Sequence, residues 1–429
     1  MRYEPADAAL FVRNRARLAA LLPPGAMVVI HANDIYPTNA DGIMPFKQNA
    51  NLYYLSGIDQ EDTTLILFPS ATEEKDRAIL FVRETTERLR IWEGEKLTLE
   101  QAHNLSGVEC VKLTTTFEAD FQRLALQAES LFLETNEHPR AEASAPTRND
   151  RFIAECKAKF PLHQYGRLAP LMAQLRAIKA PEEIAMQRHA IDITEAGFRR
   201  VFDFLQPGVG EWEVEAEFTH EFLRRRSRGF AYSPIVASGA NALCLHYVGN
   251  EQRCGDGELV LMDIGAEWGN WNADLTRTVP ANGRFTPRQR AVYDAVLRVF
   301  RFADKTLRPG ALIKDYTIEV YNCMAEELAQ LGLLSAEDLK HRTPEKDPVR
   351  QYFMHGVSHP LGLDVHDVYP SNAPIAEGMV FTIEPGIYIT EEGLGIRLEN
   401  NFLVGKNGNE DLCAKVPLEA EEIEEAMKR

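Results

Sequence analysis

Leu259-Val-Leu-Met-Asp-Ile-Gly-Ala-Glu-Trp-Gly-Asn-Trp-Asn-Ala-Asp-Leu-Thr-Arg-Thr278 is the stretch whose reading decides the fold. An apolar run ends at Asp263, Trp268-Gly269 reverses the chain, and Asp274 stands on the way out. That pattern predicts a β-hairpin with an acid on each arm. A second stretch has the same design. Met379-Val-Phe-Thr-Ile-Glu-Pro-Gly386 carries Glu384 on the entering arm, and Gly395-Ile-Arg-Leu-Glu399 carries Glu399 on the returning one. A turn at Trp268-Gly269 predicts Asp263 opposite Asp274, and a turn at Glu391-Glu392-Gly393 predicts Glu384 opposite Glu399. Opposed residues share one face with Cβ atoms about 5 Å apart.

Ionised carboxylates in apolar strands are costly unless compensated. Two like charges about 4 Å apart repel by roughly 4 kcal/mol at a surface-like effective dielectric. A lone strand-end acid usually bonds backbone or an arginine. Two independent hairpins with opposed acids favour a cation instead, and two divalent ions match the charge of four carboxylates. His359, in a Gly-flanked segment, joins Asp263, Asp274, Glu384 and Glu399 as the fifth candidate ligand.

The chain has 429 residues, enough for two domains. Its composition, 45% apolar and 26% charged, is that of a soluble globular protein. A net charge of −17 argues against nonspecific nucleic-acid binding, which needs a basic face. No apolar leader and no run of about 18 apolar residues occurs, so no membrane association and a cytoplasmic location are expected. The six cysteines are scattered without a CxxC pair, suggesting neither a zinc clasp nor a disulfide framework.

The first part alternates helix and strand: helices over 8–22, 98–106 and 117–128, strands over 27–31, 63–68, 78–82 and 130–134. This is a small α/β domain, with 141–150 a polar surface loop. The boundary falls near Leu175-Arg-Ala-Ile-Lys-Ala-Pro181, giving domains 1–175 and 176–429. Pro181 suits the first residue of a long helix that stops at Leu205-Gln-Pro-Gly208, and a second helix follows through 221–226. Thr286-Pro287 with Gln289 opens another long helix, which ends at Leu307-Arg-Pro-Gly310 before a further one. The weak echo, each helix pair preceding one acidic hairpin, suggests two similar halves facing a metal site. Chance likeness of amphipathic helices is the alternative.

Met354-His-Gly-Val-Ser-His-Pro-Leu-Gly-Leu-Asp-Val-His-Asp367, Thr382-Ile-Glu-Pro-Gly-Ile-Tyr388 and Gly395-Ile-Arg-Leu-Glu399 together closely resemble the pita-bread metallopeptidases, which include methionine aminopeptidase, prolidase and aminopeptidase P. Phe46-Lys-Gln-Asn-Ala-Asn-Leu-Tyr-Tyr-Leu-Ser-Gly57 and Ile91-Trp-Glu-Gly94 resemble the N-terminal domain of the aminopeptidase P subfamily. The resemblance implies an α/β protein: a C-terminal pita-bread domain, with duplicated α+β halves around a two-metal site, behind an N-terminal α/β domain. It implies a hydrolase that removes the N-terminal residue before proline by attack of a metal-bridging hydroxide. The alternative is a prolidase confined to X-Pro dipeptides.

By the same resemblance, Asp263 grips one ion, His359 and Glu384 the other, and Asp274 and Glu399 bridge. The ions are expected to be manganese, with cobalt or zinc as alternatives. Glu384 doubles as the proton shuttle, and His246 and His366 match positions that contact substrate and stabilise the tetrahedral intermediate. His355 matches a position near the substrate's proline, and Tyr388 and Arg397 are expected to orient ligands. Asp41 would pair with Arg397, and Trp92 would reach a neighbouring subunit of a dimer or tetramer. Loop acid and core aromatic are the alternative readings of those two. The 366–384 segment is shorter than in the bacterial relatives and lacks an arginine that binds substrate beyond proline, which puts recognition of longer peptides in question.

Overall fold

Strand β1, Ala26–His31, is buried along its whole length and organises the first sheet. It pairs antiparallel with β2, Thr64–Leu67, and parallel with β5, Ser130–Leu133. With β3 (Ala78–Val82), β4 (Cys110–Leu113) and β6 (Gln164–Arg167) the sheet order is β4-β3-β2-β1-β5-β6. The computed structural model describes residues 3–138, 140–141, 144–343 and 346–428. It divides into two compact units, Pro5–Arg176 and Ala177–Arg429, the second including Met1–Glu4.

In the first unit the helices Ala8–Leu21, Leu99–Ser106 and Phe117–Ala125 stand where the pattern predicts them. The supposed loop 141–150 is shorter than expected, because a helix, Arg148–Lys159, begins inside it. Thr147 and Asp150 form the capping box that starts it, a signal the polar composition obscured. Residues 142 and 143 of that stretch lie outside the described residues.

The second unit is built twice over. The helix Pro181–Phe204 opens with Pro181 in its first turn and Glu183 accepting the Ala180 N–H at 2.9 Å. The helix Glu211–Arg224 follows, ending two residues short of expectation because Arg226 takes a positive φ of 69°. Then come β7 (Ile235–Ser238), β8 (Leu259–Asp263), the short pair β9 (Glu267–Trp268) and β10 (Trp271–Asn272), and β11 (Thr276–Pro280). The order β11-β8-β7 is antiparallel. The second half repeats this with helices Pro287–Thr306 and Ile313–Gln330. The segment at Pro360 bridges β12 (Val380–Ile383), and the hairpin β13 (Gly386–Ile389) with β14 (Leu394–Arg397) follows. β15 (Asn400–Leu403) then pairs with β12 and with β16 (Glu410–Asp411). A bridge between Thr276 and Glu399 joins the halves.

The second hairpin has the expected register: Gly386 faces Arg397 and Ile389 faces Leu394, which carries Glu384 toward Glu399. The first does not. Trp268 pairs with Trp271 and Asp263 with Thr276, so Asp274 lies two residues from the place predicted for it. The turn is centred on Gly269 and Asn270, at φ 58° and 71°. A two-residue hairpin turn with both centres left-handed suits Gly and Asn and would strain Trp268. Because strand side chains alternate with period two, the slip leaves Asp274 on the same face as Asp263.

Gly265, beside that hairpin, has no room for a side chain: a Cβ would stand 1.9 Å from the Ala273 carbonyl oxygen. Gly265→Ala is expected to lower the unfolding free energy by at least about 2 kcal/mol. Urea denaturation checks it, and an unchanged midpoint would contradict the packing described.

Candidate metal centre

The five predicted ligands all stand where the chain leaves one ladder for the next. Asp263 ends β8, Asp274 precedes β11, His359 precedes the bridge to β12, Glu384 follows β12, and Glu399 lies between β14 and β15. Asp274, His359 and Glu399 offer donor atoms within 4.8 Å of one another. His359 Nε2 lies 3.5 Å from Asp274 and 3.7 Å from Glu384. Its Nδ1 is 3.0 Å from the Pro360 carbonyl oxygen, so Nδ1 keeps a proton and Nε2 faces the acids. Asp263 joins through Tyr232, whose hydroxyl is 2.7 Å from Asp263 and 2.6 Å from Asp274.

Behind the acids stands a chain of hydrogen bonds. Arg397 reaches Asp263 at 2.6 Å, donates to the Tyr388 hydroxyl at 2.8 Å and to Thr276 Oγ1 at 3.2 Å. Thr276 in turn donates to Glu399 at 2.7 Å. The Tyr388 hydroxyl is 2.8 Å from His355 Nε2, while His355 Nδ1 faces the Gly356 carbonyl oxygen at 2.9 Å. His355 is therefore a neutral acceptor of the tyrosine proton, and burial, helped by Arg397, holds its pKa down to about 3. The His366 ring lies 4.0 Å from that of His359. His246 is exposed on the loop that follows β7.

Tyr232 and Thr276 were not singled out from the sequence. Thr276 carried a signal, since it stands two residues from Asp274 and so shares its face. Tyr232 lies in irregular chain before β7, where no spacing marks it. Asp41 and Trp92 belong to the first unit, Asp41 in an exposed loop and Trp92 on the helix Glu87–Glu93. With 74% of its surface exposed, Trp92 is not a core aromatic.

The pattern of metallopeptidase family M24 matches residues 185–406, the segment that holds the four acids and four imidazoles just described. The chain belongs to that family. The aminopeptidase P N-terminal domain matches residues 11–132 of the same chain. This M24 protein is 33% identical to the Xaa-Pro aminopeptidase of Haemophilus influenzae, over 97% of its length and 96% of the relative's. It is 31% identical to human Xaa-Pro aminopeptidase 3, over 93% and 80%. A solved structure of zinc-substituted Escherichia coli aminopeptidase P in complex with product superposes with a TM-score of 0.88 at 32% identity, covering 99% of each chain. The M24 protein is thus a pita-bread metal-dependent aminopeptidase, a hydrolase, and the prolidase reading is not favoured. Among the described residues no helix is long and apolar enough to cross a membrane.

The residues fit a divalent metal. Four carboxylates and one imidazole form an oxygen-rich donor set of the kind that suits manganese, cobalt or zinc. The site is short of positive charge without one. Burial first, then the charge of Asp274, pushes Glu384 up to about 7, although His359 and Arg397 pull the other way. Burial, followed by Asp274 and Glu384, pushes Glu399 well up, and burial lifts Asp263 against the pull of Arg397. Burial alone would depress His359, yet Asp274 and Glu384 outweigh it and raise its pKa to about 9. The Tyr232 phenol is pushed well up by burial and by Asp263 and Asp274, so it keeps its proton. Its one proton lies between the two carboxylates, which crowd the same hydroxyl.

These shifts set the sign of a pH dependence. Glu384 and His359 both hold protons in the metal-free fold beyond the pH at which the unfolded chain releases them, so stability falls as pH rises through about 7 and about 9. The chelated protein is expected to lose Tm from about pH 6 to about pH 9, and a divalent ion to raise Tm more at about pH 8 than at about pH 6. Calorimetry checks both; equal stabilisation at the two pH values would contradict the charge deficit.

Proposed function

We propose that this aminopeptidase releases the N-terminal residue from peptides with proline in second position, using two manganese ions held by Asp263, Asp274, His359, Glu384 and Glu399. The reading is supported by donors of Asp274, His359 and Glu399 within 4.8 Å of one another, with Glu384 Oε1 3.7 Å from His359 Nε2 and Asp263 sharing the Tyr232 hydroxyl with Asp274. It is supported too by the likeness, over nearly the whole chain, to Xaa-Pro aminopeptidases. In it, 1–175 is the aminopeptidase P-like domain and 176–429 the catalytic one.

When bound, such ions supply Lewis-acid charge to the scissile carbonyl and lower the pKa of water. The chain's own residues do the rest. Glu384 accepts the proton of the attacking water and passes it to the leaving proline nitrogen. His246 and His366 donate to the carbonyl oxygen as negative charge develops there. Arg397 fixes Asp263, and burial and Arg397 keep His355 neutral beside the ring of proline. The 366–384 segment carries no arginine to grip residues beyond proline, so tripeptides gain little over dipeptides. The proposal includes a dimer or tetramer, with Trp92 and Asp41 reaching an active site, and a cytoplasmic location. Light scattering and cell fractionation address these.

Glu384→Gln keeps shape but removes the proton acceptor. Its kcat is expected to fall at least tenfold, since general-base work is usually worth roughly 10²–10⁴. Stopped-flow assays check this, and a smaller loss would assign the shuttle elsewhere.

Specificity is the decisive test. A pocket shaped to the pyrrolidine ring leaves the N–H of an X-Ala bond unpaired, at about 1–3 kcal/mol. It also forfeits roughly 0.8 kcal/mol for each lost methylene contact. Replacing proline by alanine in X-Pro-Y is therefore expected to cost at least roughly 100-fold in kcat/KM. The measurement uses chelated enzyme reloaded with two equivalents of manganese. Equal rates on X-Ala and X-Pro would sink the proline assignment, and full activity with one equivalent would sink the two-ion site.

A further inference from the structure

Glu211 is the first residue of the helix Glu211–Arg224 and is fully buried, far in character from a surface acid. Both of its oxygens are saturated. Oε1 accepts the Ser238 N–H at 2.7 Å, the Ser238 hydroxyl at 2.7 Å and the Asn241 amide at 3.0 Å. Oε2 accepts the Tyr247 hydroxyl at 2.9 Å and the Gln252 N–H at 2.8 Å. Its own N–H bonds the Gln252 carbonyl at 2.9 Å. These partners come from both sides of His246, at the start, middle and end of the 238–252 loop.

Besides Glu211, buried Asn250 anchors the far part of that loop, its side chain accepting the Val236 N–H at 2.9 Å and donating to Glu215 at 2.9 Å and to the Pro234 carbonyl at 3.0 Å. Beyond the short turn Gly239–Leu243 it has no regular structure, and Cys244, His246, Val248 and Gly249 are exposed. Its apolar side chains pack beside Tyr388: Leu243, Leu245 and Tyr247 lie against the cluster that contains it. At Gly395, on β14, a Cβ would meet the Ala242 carbonyl oxygen at 2.7 Å. The loop thus lies beside Tyr388 and β14, with Ser238, Asn241, Tyr247 and Gln252 bonded to Glu211.

We propose that Glu211 is a positioning residue for catalysis: its carboxylate clamps the 238–252 loop and thereby sets where His246 stands. The proposal rests on the role given to His246 above. Five donors on one carboxylate stabilise its ionised form, and although burial opposes the charge, the bonds from Ser238 and Gln252 hold its pKa below the usual carboxylate value. A neutral glutamine of the same shape offers one acceptor and turns an N–H₂ toward groups that are themselves donors.

The test is a mutant cycle on the metal-loaded enzyme with an X-Pro-Y peptide. Glu211→Gln is expected to lower kcat/KM by about 100-fold, the scale of a 1 Å misplacement of a reacting group. Tyr247→Phe, which removes one bond to the clamp, is expected to lose about tenfold. In a His246→Ala background both losses shrink to about twofold or less, because the group being positioned is gone. Amide hydrogen exchange across 238–252 rises in Glu211→Gln while that of Leu259–Asp263 and the bound metal stay as in wild type. Losses that persist in full in the His246→Ala background overturn the proposal, as does unchanged exchange in the loop. If Glu211→Gln does not fold, Tyr247→Phe decides by the same criterion. Should His246→Ala alone keep full activity, the role of His246 fails and the positioning claim falls with it, whereas a loop that loosens only in the Glu211 variant would still report the clamp.

Discussion

Holding four carboxylates in one buried pocket is the constraint on which the second unit depends. Each acid resists burial by itself and repels the other three, and the raised pKa values of Asp263, Glu384 and Glu399 record that cost. The fold answers it with fixed positive charge and fixed donors. Arg397 sits on Asp263, Thr276 donates to Glu399, and His359 faces Asp274 and Glu384 with the one nitrogen that can bind a cation. A divalent metal completes the balance, which makes the pocket a charge trap before it is a catalyst.

The scaffold follows from where rigid acids can be placed. Strand ends suit the task because the ladder fixes the backbone while the side chain escapes the next pair. The unit supplies such ends twice, once from each half, and ties them together where Thr276 bridges Glu399. The Asn401 side chain accepts the Asp274 N–H at 3.2 Å and donates to its carbonyl, which fixes Asp274 outside regular structure. Arg277, fully buried, donates to the carbonyl oxygens of Thr276, Glu399, Val416 and Pro417. It braces the backbone of Glu399 without competing for its carboxylate.

Reading the sequence located the acids but not always their partners. Glu384 and Glu399 were legible down to the register, since Gly393, at φ 60°, marks the turn unambiguously. Asp263 and Asp274 were placed on the right face with the wrong pairing, because Trp268-Gly269-Asn270 offers two adjacent turn centres. Only the preference of Gly and Asn for left-handed backbone separates them. The helix Arg148–Lys159 was hidden by polar composition, although Thr147 and Asp150 spell a capping box. Tyr232 left no trace, since an aromatic before a strand is ordinarily core.

The sequence by itself marked the candidates: four acids and a histidine of hard-metal character, two hairpins to carry the acids, helix pairs before each, and too much negative charge for nucleic acid. Those features are local, written in residue type, period and turn preference, and they survive in a string. Tertiary structure alone decided the electrostatics. It chose which oxygen Arg397 meets, which nitrogen His359 offers, and that burial and Arg397 keep His355 neutral. It brought Tyr232 between two acids more than 30 positions away, and folded a loop around Glu211. These depend on distances between residues remote in sequence, and charge interactions change steeply with distance and burial, so no pattern along the chain can state them.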